Sequence, residues 1–232
     1  MLEVRDIETF YGRQQVLFGM SLRAPRGSVT ALVGRNGMGK TTTIRSIMGF
    51  TPAARGAISF DGRDITRWQP HQVARAGIGL VPEGRRLFAN LTVEENLRAT
   101  ATRGNRSGGW TLSRVYELFP RVAERRGNPS MHLSGGEQQM VAIGRALMTN
   151  PGLVILDEAT EGLAPLIRQE IWAAVACLRA EGCGVLVIDK NLREFAALVD
   201  ALFVMEKGRV VWHGSAEGLL SDAVATQAYL GL

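Results

Sequence analysis

The part of the sequence best suited to chemistry is a glycine-rich segment that ends in a lysine and two threonines. Residues 34–42 read GRNGMGKTT and fit the pattern G-x-x-x-x-G-K-[ST]. Glycines let backbone N–H groups turn towards phosphate oxygens, Lys40 can reach the β- and γ-phosphates of a nucleotide, and the Thr41 hydroxyl can ligate Mg²⁺. A glycine-rich turn without a ligand is the alternative. The predicted phosphate contacts are Gly34, Arg35, Asn36, Gly37, Gly39, Lys40, Thr41 and Thr42.

The residues on either side supply the context that this motif requires. Residues 29–33 (VTALV) form an apolar run that predicts a buried strand, and residues 42–44 (TTI) continue as a helix. A helix that starts directly after the loop directs the positive end of its dipole at the phosphates. The predicted order of strand, tight loop and helix favours a ligand-binding loop over a plain turn.

Two adjacent acids form a second candidate site. Residues 153–156 (LVIL) predict a buried strand, and Asp157 and Glu158 follow at its carboxyl end. There Asp157 can hold Mg²⁺, directly or through water, and Glu158 can polarise the water that attacks a γ-phosphate. Two acids at a strand end could instead be a solvated turn. A phosphate loop in the same sheet favours the catalytic interpretation.

A third segment, residues 133–137 (LSGGE), has two interpretations. Gly135 and Gly136 at a helix start expose backbone N–H groups, and Ser134 adds a hydroxyl, so the segment could seat an anion. The same residues fit an ordinary capping box, with Ser134 at the N-cap and Glu137 three positions later. The sequence physics alone does not choose between them.

Apolar runs alternate with helical stripes along the chain and predict the α/β class. The first two runs alternate loosely and predict antiparallel strands joined by a turn beside Tyr11. The later runs are fully apolar, which is typical of a mostly parallel sheet covered on both faces. The predicted strands are residues 2–10, 16–22, 29–33, 57–60, 78–81, 153–156, 185–188, 202–205 and 209–212, and a helix is predicted at 167–179.

The middle of the chain is predicted to be a helical insert. Thr92 caps a helix with an acid-rich first turn, as expected at a helix N-terminus. A second apolar stripe covers residues 112–119, and the polar, glycine-rich residues 103–109 between the two predict a mobile loop. The insert forms a helical subdomain at about residues 91–150 within a single domain, 1–232.

Composition and charge set broad limits. The chain has 232 residues, of which 46% are hydrophobic, enough for one large domain. A net charge of +5 weakly favours anionic partners, although scattered surface arginines explain it equally well. Cys177 and Cys183 form no C-x-x-C pair, so a reducing cytosol is expected. The sequence shows no signal-peptide core and no run of ~20 apolar residues, so we expect no membrane-spanning segment.

The three segments occur in an order that resembles the ATP-binding subunits of ATP-binding-cassette (ABC) transporters. The phosphate loop comes first, Leu-Ser-Gly-Gly-Glu next and Ile-Leu-Asp-Glu last, and the resemblance covers essentially the whole chain. It implies a P-loop NTPase core with an N-terminal antiparallel β subdomain and an α-helical insert. It also implies a head-to-tail dimer, in which the Leu-Ser-Gly-Gly segment of one subunit closes over ATP held by the phosphate loop of the other.

The resemblance also implies roles for residues outside the three segments. Tyr11 would stack on the adenine, and Glu83 would lie in the loop that senses the γ-phosphate. Thr41, Glu83 and Asp157 would surround Mg²⁺, for which a carboxylate oxygen is a suitable ligand. The helical insert would contact membrane subunits, with residues around Phe88 and Leu91 as the docking candidates.

Other segments resemble one group of this family, the branched-chain amino acid importers. Residues 81–88 (VPEGRRLF), 133–140 (LSGGEQQM) and 161–165 (EGLAP) are similar to the smaller of the group's two ATPase subunits, the LivF type. The implied ligands are ATP and Mg²⁺. The implied partners are a paralogous ATPase or a second copy, two membrane permease subunits and a periplasmic solute-binding protein, at the cytoplasmic face of the cell membrane. Related systems that move urea, short amides or aromatic acids leave the cargo open.

The sequence departs from the general family pattern in several places. Glu83 replaces the usual Gln and Ala164 the usual Asp, and both replacements are familiar in the branched-chain group. Ala159 replaces a Pro. The most consequential departure is Lys190, which stands where the family places a His that contacts the γ-phosphate. Lys190 could supply positive charge to the γ-phosphoryl group, or it could be a solvated lysine beside a site that works without the usual His.

The sequence therefore predicts an ATPase that energises a small-molecule importer, with Lys40, Glu158 and Lys190 as its catalytic candidates. A nucleic-acid-associated ABC ATPase is disfavoured, because the sequence shows one cassette, no coiled-coil arm and no basic aromatic-lined groove, and we expect no nucleic-acid partner. A regulatory subunit that barely hydrolyses ATP stays open because of Lys190. The intact pair of acids at 157 and 158 argues against it.

Overall fold

A computed structural model describes residues 1–102 and 109–230 of the chain, and ten strands within these residues form two sheets. The strands are β1 (Leu2–Tyr11), β2 (Gln14–Ala24), β3 (Val29–Val33), β4 (Arg55–Phe60), β5 (Arg63–Asp64), β6 (Ile78–Val81), β7 (Leu153–Asp157), β8 (Gly184–Ile188), β9 (Ala201–Glu206) and β10 (Arg209–Gly214).

The first sheet is antiparallel, with the strand order β2-β1-β4-β5. β1 and β2 pair from Leu2 opposite Ala24 to Tyr11 opposite Gln14, so the predicted N-terminal hairpin is confirmed. β4 pairs with the other edge of β1, and the two-residue β5 extends it. The side chains that alternate inward along β1 and β2 are buried against α1 and the second sheet.

The second sheet has six strands in the order β10-β9-β3-β8-β7-β6, and only β10 runs antiparallel to its neighbour. Every residue of β3, β7 and β8 is buried. Successive side chains of β3 enter different hydrophobic clusters, Ala31 on one face and Leu32 on the other. The predicted mostly parallel sheet, covered on both faces, is confirmed. The carboxyl ends of β3, β7 and β8 therefore meet at one edge.

Helices cover the second sheet and form the insert. α3 starts where the sequence predicts, since the Thr92 hydroxyl accepts a hydrogen bond from the Glu95 N–H and the Glu95 carboxylate accepts one from the Thr92 N–H. The helices are α1 (Lys40–Ile47), α2 (Pro70–Ala76), α3 (Val93–Arg98), α4 (Leu112–Leu118), α5 (Pro120–Glu124), α6 (Gly135–Leu147), α7 (Pro165–Ala180), α8 (Leu192–Phe195), α9 (Ala216–Ser221) and α10 (Ala223–Leu230), with 3₁₀ helices at Ser130–His132 and Ala196–Leu198.

The helices of the insert pack closely on α6. Val115 and Phe119 are fully buried, so these members of the predicted stripe belong to the core. Gly144 of α6 permits this approach, because a Cβ there would lie 2.7 Å from a Val115 methyl and 2.9 Å from a Leu97 methyl. The same hydrophobic cluster continues onto β3, β7 and β8. The bounds of the insert as a subdomain, 91–150, stay a prediction.

Some sequence predictions fall on residues without described structure, and some elements of the fold were not predicted. The predicted mobile loop at 103–109 lies outside the described residues except for Gly109. The sequence did not predict α2, β5, α8, α9 and α10, although Pro70 at the first position of α2 is a known start signal. Among residues 1–102 and 109–230, no helix combines the length and hydropathy needed to cross a bilayer.

Candidate active site

The phosphate loop connects β3 to α1 at the edge where the parallel strands end. Its backbone passes so close to β9 that a Cβ on Gly34 would lie 2.3 Å from the Met205 carbonyl oxygen. Gly39 occupies the N-cap of α1 with a φ of 108°, a conformation that side chains with a Cβ rarely adopt. Both glycines are therefore required by the path of the loop, and the predicted strand, loop and helix are confirmed.

Lys40 lies inside this loop and is only 5% exposed. Its ammonium donates hydrogen bonds to the Gly34 and Arg35 carbonyl oxygens, at 2.8 and 3.1 Å. Burial lowers the pKa of Lys40, while the carboxylates of Glu158 and Asp157 act in the opposite direction. The loop thus holds a cation that a bound anion would stabilise.

A cavity of about 280 Å³ opens above the loop. It is lined by Val16, Asn36, Gly37 and residues 39–42, together with Glu83 and Glu158. The structure therefore brings most of the predicted phosphate contacts together with two of the predicted acids. Gly34 and Arg35 contribute through the carbonyl groups that bind Lys40.

Asp157 ends β7 at a second cavity, which shares Thr41 and Glu83 with the first. The Asp157 side chain is 4% exposed, and its Oδ1 has no hydrogen-bond partner among the described residues. Burial raises the pKa of Asp157 to about 6, and the nearby Glu83 charge adds to the effect. An unpaired buried carboxylate oxygen beside a hydroxyl and a second carboxylate is a donor set that fits Mg²⁺.

Glu158 follows directly and lines the phosphate cavity. Its N–H donates to the Ile188 carbonyl oxygen at 2.7 Å, which ties the end of β7 to the end of β8. Its φ of 48° is unusual for a residue with a side chain. Burial is the larger cause, and a hydrogen bond with Glu161 the next, that raises the pKa of Glu158 to about 7.

Lys190 and Tyr11 are not among the residues that line the cavity. The Lys190 ammonium pairs with Glu161, and 48% of the side chain is exposed. Hydrogen bonding with Glu161 raises the pKa of Lys190. Tyr11 is the last residue of β1 and is 43% exposed, so its ring is free to accept a stacked partner. The roles predicted for both residues stay predictions.

Ser134, Gly135 and Gly136 start α6 and do not line the cavity of their own subunit. Ser134 and Glu137 form the capping box that was one of the two interpretations, with the Glu137 N–H donating to the Ser134 hydroxyl at 3.3 Å. The Arg85 guanidinium lies over Gly135, where a Cβ would come within 2.5 Å of one of its nitrogens. The alternative interpretation as an anion seat stays a prediction.

Comparisons with known proteins agree with this geometry. The family described as ABC transporter matches residues 17–161, more than half of the chain. The chain is also 40% identical, over the full length of both proteins, to the high-affinity branched-chain amino acid transport ATP-binding protein BraG of Pseudomonas aeruginosa. The chain belongs to the ABC transporter family, among its ATP-binding subunits.

Other relatives of this ABC subunit show the range of the family. The chain is 34% identical to the lipopolysaccharide export system ATP-binding protein LptB of Escherichia coli K12, over 99% of this chain and 97% of that protein. A nucleotide-free ATP-binding cassette from an ABC transporter has a TM-score of 0.86 and 29% identity, covering 98% and 97% of the two chains. A second ATP-binding subunit has a TM-score of 0.85 and 31% identity, covering 100% and 96%. The predicted ABC ATPase fold is confirmed.

Membership of the family settles the general activity. The ABC subunit binds and hydrolyses ATP. ABC ATP-binding subunits work as dimers with membrane permease partners, and the subunit is expected to do the same.

Sequence reasoning missed two buried polar residues that fix loops of the ABC subunit. Asp189 is buried after β8 and accepts hydrogen bonds from the Thr160 hydroxyl at 2.6 Å and from the Asn191 N–H at 2.9 Å. Asn96 is fully buried and binds the backbone of Phe88. An Asp directly after an apolar strand was an available signal for the first. No local pattern marks Asn96, because its hydrogen bonds to the Phe88 backbone and the Ser130 hydroxyl reach beyond its own helix.

Proposed function

We propose that the ABC subunit energises an importer of branched-chain amino acids or related small solutes. The observation that carries the proposal is the 40% identity over the whole chain to BraG, whose name gives this cargo. The 34% identity to LptB favours a second candidate, in which the same ATPase drives export. The higher identity and complete coverage of both chains support the importer.

In the proposed hydrolysis step the residues of this chain bind and orient the reactants. The Lys40 ammonium exchanges its loop carbonyl partners for β- and γ-phosphate oxygens, and N–H groups of the loop and of the first turn of α1 bind the remaining oxygens. Glu158 accepts a hydrogen bond from the attacking water and directs it at the γ-phosphate. Catalysis then consists mainly of positioning and charge neutralisation.

Thr41, Glu83 and Asp157 are the residues proposed to hold Mg²⁺. The support for this set is the unpaired, buried Oδ1 of Asp157 and the cavity that the three residues share. A bound Mg²⁺ would neutralise negative charge on the phosphate oxygens. The Glu83 charge adds to the cost of ionising Asp157, so a divalent cation would stabilise the Asp157 carboxylate.

We infer that Ser134, Gly135 and Gly136 bind the nucleotide of a second ATPase subunit, either a paralogue or another copy. Their separation from their own cavity supports an action between subunits. Two membrane permease subunits and a periplasmic solute-binding protein would complete the complex at the cytoplasmic face of the cell membrane. Tyr11 would stack on the adenine, since it is exposed at the end of β1.

Two substitutions test the ATPase assignment of these residues. Glu158→Gln is expected to retain ATP binding and to lower turnover by roughly 10²-fold or more, the scale of a general base. The ATP-bound dimer should then become detectable by size exclusion. Lys40→Ala is expected to show little ATP affinity by calorimetry, because the triphosphate loses its direct cationic partner. Unchanged affinity in Lys40→Ala would show that the loop is not the nucleotide site.

The cargo is tested in cells that carry Glu158→Gln as their only copy of the subunit. Uptake of radiolabelled leucine, isoleucine and valine is expected to stop, with the same cells carrying the wild-type subunit as the control. Uptake at the wild-type rate would refute the importer of these amino acids. A defect in lipopolysaccharide export in the same cells would favour the second candidate.

A further inference from the structure

Lys190 and Glu161 form an ion pair between two loops beside the proposed hydrolysis site. Glu161 lies on the loop after β7, and Lys190 lies on the loop after β8. The Lys190 Nζ is 2.5 Å from the Glu161 Oε1. The side chains are 48% and 44% exposed, so solvent screens the pair and its contribution to stability is small. A role in the site accounts better for its position than a role in folding.

Glu161 also faces the proposed general base. Carboxylate oxygens of Glu83, Glu158 and Glu161 lie within 4.8 Å of one another. Such carboxylates repel when they are all ionised, and the Lys190 ammonium pairs with Glu161, one of the three. Glu158 lines the phosphate cavity, whereas Glu161 and Lys190 do not. Glu161 therefore contacts the base on one side and holds the lysine on the other.

We propose that Glu161 is a positioning residue that holds the Lys190 ammonium outside the phosphate cavity until a bound triphosphate competes for it. The inference rests on the proposed function, because it takes the γ-phosphate of ATP as the competing anion. The four-carbon stem of a lysine lets the charged end move between two anions without a change in the backbone. A triphosphate carries more negative charge than one carboxylate, so the ammonium exchanges one ion-pair partner for the other. No covalent bond forms or breaks.

The proposal predicts that two substitutions act non-additively on the ATP affinity of the isolated full-length subunit. Glu161→Gln releases the Lys190 ammonium and is expected to lower the dissociation constant for ATP by roughly five- to tenfold. In this variant the ammonium binds the phosphate without first breaking an ion pair with Glu161. In a subunit that already carries Lys190→Ala, Glu161→Gln should change the dissociation constant for ATP by less than about twofold. A change of that size is what remains when solvent ions screen the lost charge.

Calorimetric titration with ATP measures the dissociation constants of the four proteins: the wild type, Glu161→Gln, Lys190→Ala and the double variant. Glu161→Asp keeps the charge, so it should restore affinity towards the wild-type value, which a loss of general packing would not do. Glu206→Gln is the matched control, because it removes the carboxylate of another exposed pair, Glu206 with Lys207 at 3.9 Å. It should leave the effect of Lys190→Ala unchanged.

Three results would overturn the proposal. An equal gain in ATP affinity from Glu161→Gln in the wild type and in Lys190→Ala would show that only the local charge at residue 161 matters. Unchanged affinity in Glu161→Gln, in a protein whose Lys40→Ala variant has lost ATP binding, would leave the proposed nucleotide site intact and refute the positioning role. Wild-type affinity in Lys40→Ala would refute the nucleotide site first, and the positioning role would fail with it.

Discussion

The side chain of Asn96 connects the loop that carries Phe88 to the rest of the insert. It is fully buried. Its Oδ1 accepts a hydrogen bond from the Phe88 N–H at 2.9 Å, and its Nδ2 donates to the Phe88 carbonyl at 3.0 Å and to the Ser130 hydroxyl at 2.7 Å. The Leu91 and Thr92 carbonyl oxygens also lie within 3.2 Å of Nδ2 and share its two hydrogens. Asn96→Ala removes all of these bonds at once.

The magnitude follows from the number of bonds that one amide can make. One strong acceptor and two N–H groups give three hydrogen bonds of about 1 kcal/mol each, so Asn96→Ala should lower the free energy of unfolding by about 3 kcal/mol. In a chain of this size the melting temperature should fall by roughly 6–12 °C.

Urea unfolding of the isolated subunit measures this change. Asn90→Ala is the control, since Asn90 is an exposed asparagine of the same loop and should cost less than about 0.5 kcal/mol. A loss below about 1 kcal/mol in Asn96→Ala would show that the loop is not held by this side chain.

Three further predictions follow from exposed and buried groups around the site. Phe88 is 50% exposed beneath the Arg145 guanidinium. Phe88→Ala should uncouple transport from ATP hydrolysis in a reconstituted complex, while the isolated subunit stays folded. Unaltered transport would rule out a docking role for Phe88. In the assembled complex, Lys190→Ala should lower turnover at saturating ATP, Lys190→His should restore part of it and Lys190→Glu should be the slowest; wild-type rates in all three would identify a solvated lysine. Burial raises the pKa of Cys183 to about 11, so iodoacetamide at pH 8 should modify Cys183 only after denaturation, and rapid labelling of the folded protein would contradict its burial.

Local patterns account for the parts of the fold that the sequence predicts well. The boundaries of β3 were predicted to the residue, because a run of four apolar residues and one threonine is followed at once by a glycine loop that no strand can continue. The starts of α3 and α6 were equally clear, since Thr92 and Ser134 each have a glutamate three positions later and form capping boxes. Such signals lie within a few residues of one another, so one sequence is sufficient to find them.

Contacts between distant segments account for most of what the sequence did not predict. Glu161 and Lys190 are 29 positions apart and meet only because β7 and β8 are neighbours in the sheet. Lys190 became a candidate through the family resemblance, which places a His at this position, but its partner was not found, since an acid in a loop carries no local pattern. The bond from Asn96 to Ser130 spans 34 positions and is invisible for the same reason.

The contact between Arg85 and Gly135 affects how a mutational screen of this protein would be interpreted. A Cβ at residue 135 would meet only the flexible end of the arginine, which can move aside at little cost in stability. A screen for folded protein would therefore score Gly135→Ala as nearly neutral, although the substitution relocates a positive charge at the start of α6. We expect the two positions to be epistatic, because a relative with a short side chain at 85 could accept alanine at 135 without any such displacement. Exchange of the Leu-Ser-Gly-Gly segment between relatives should carry residue 85 with it.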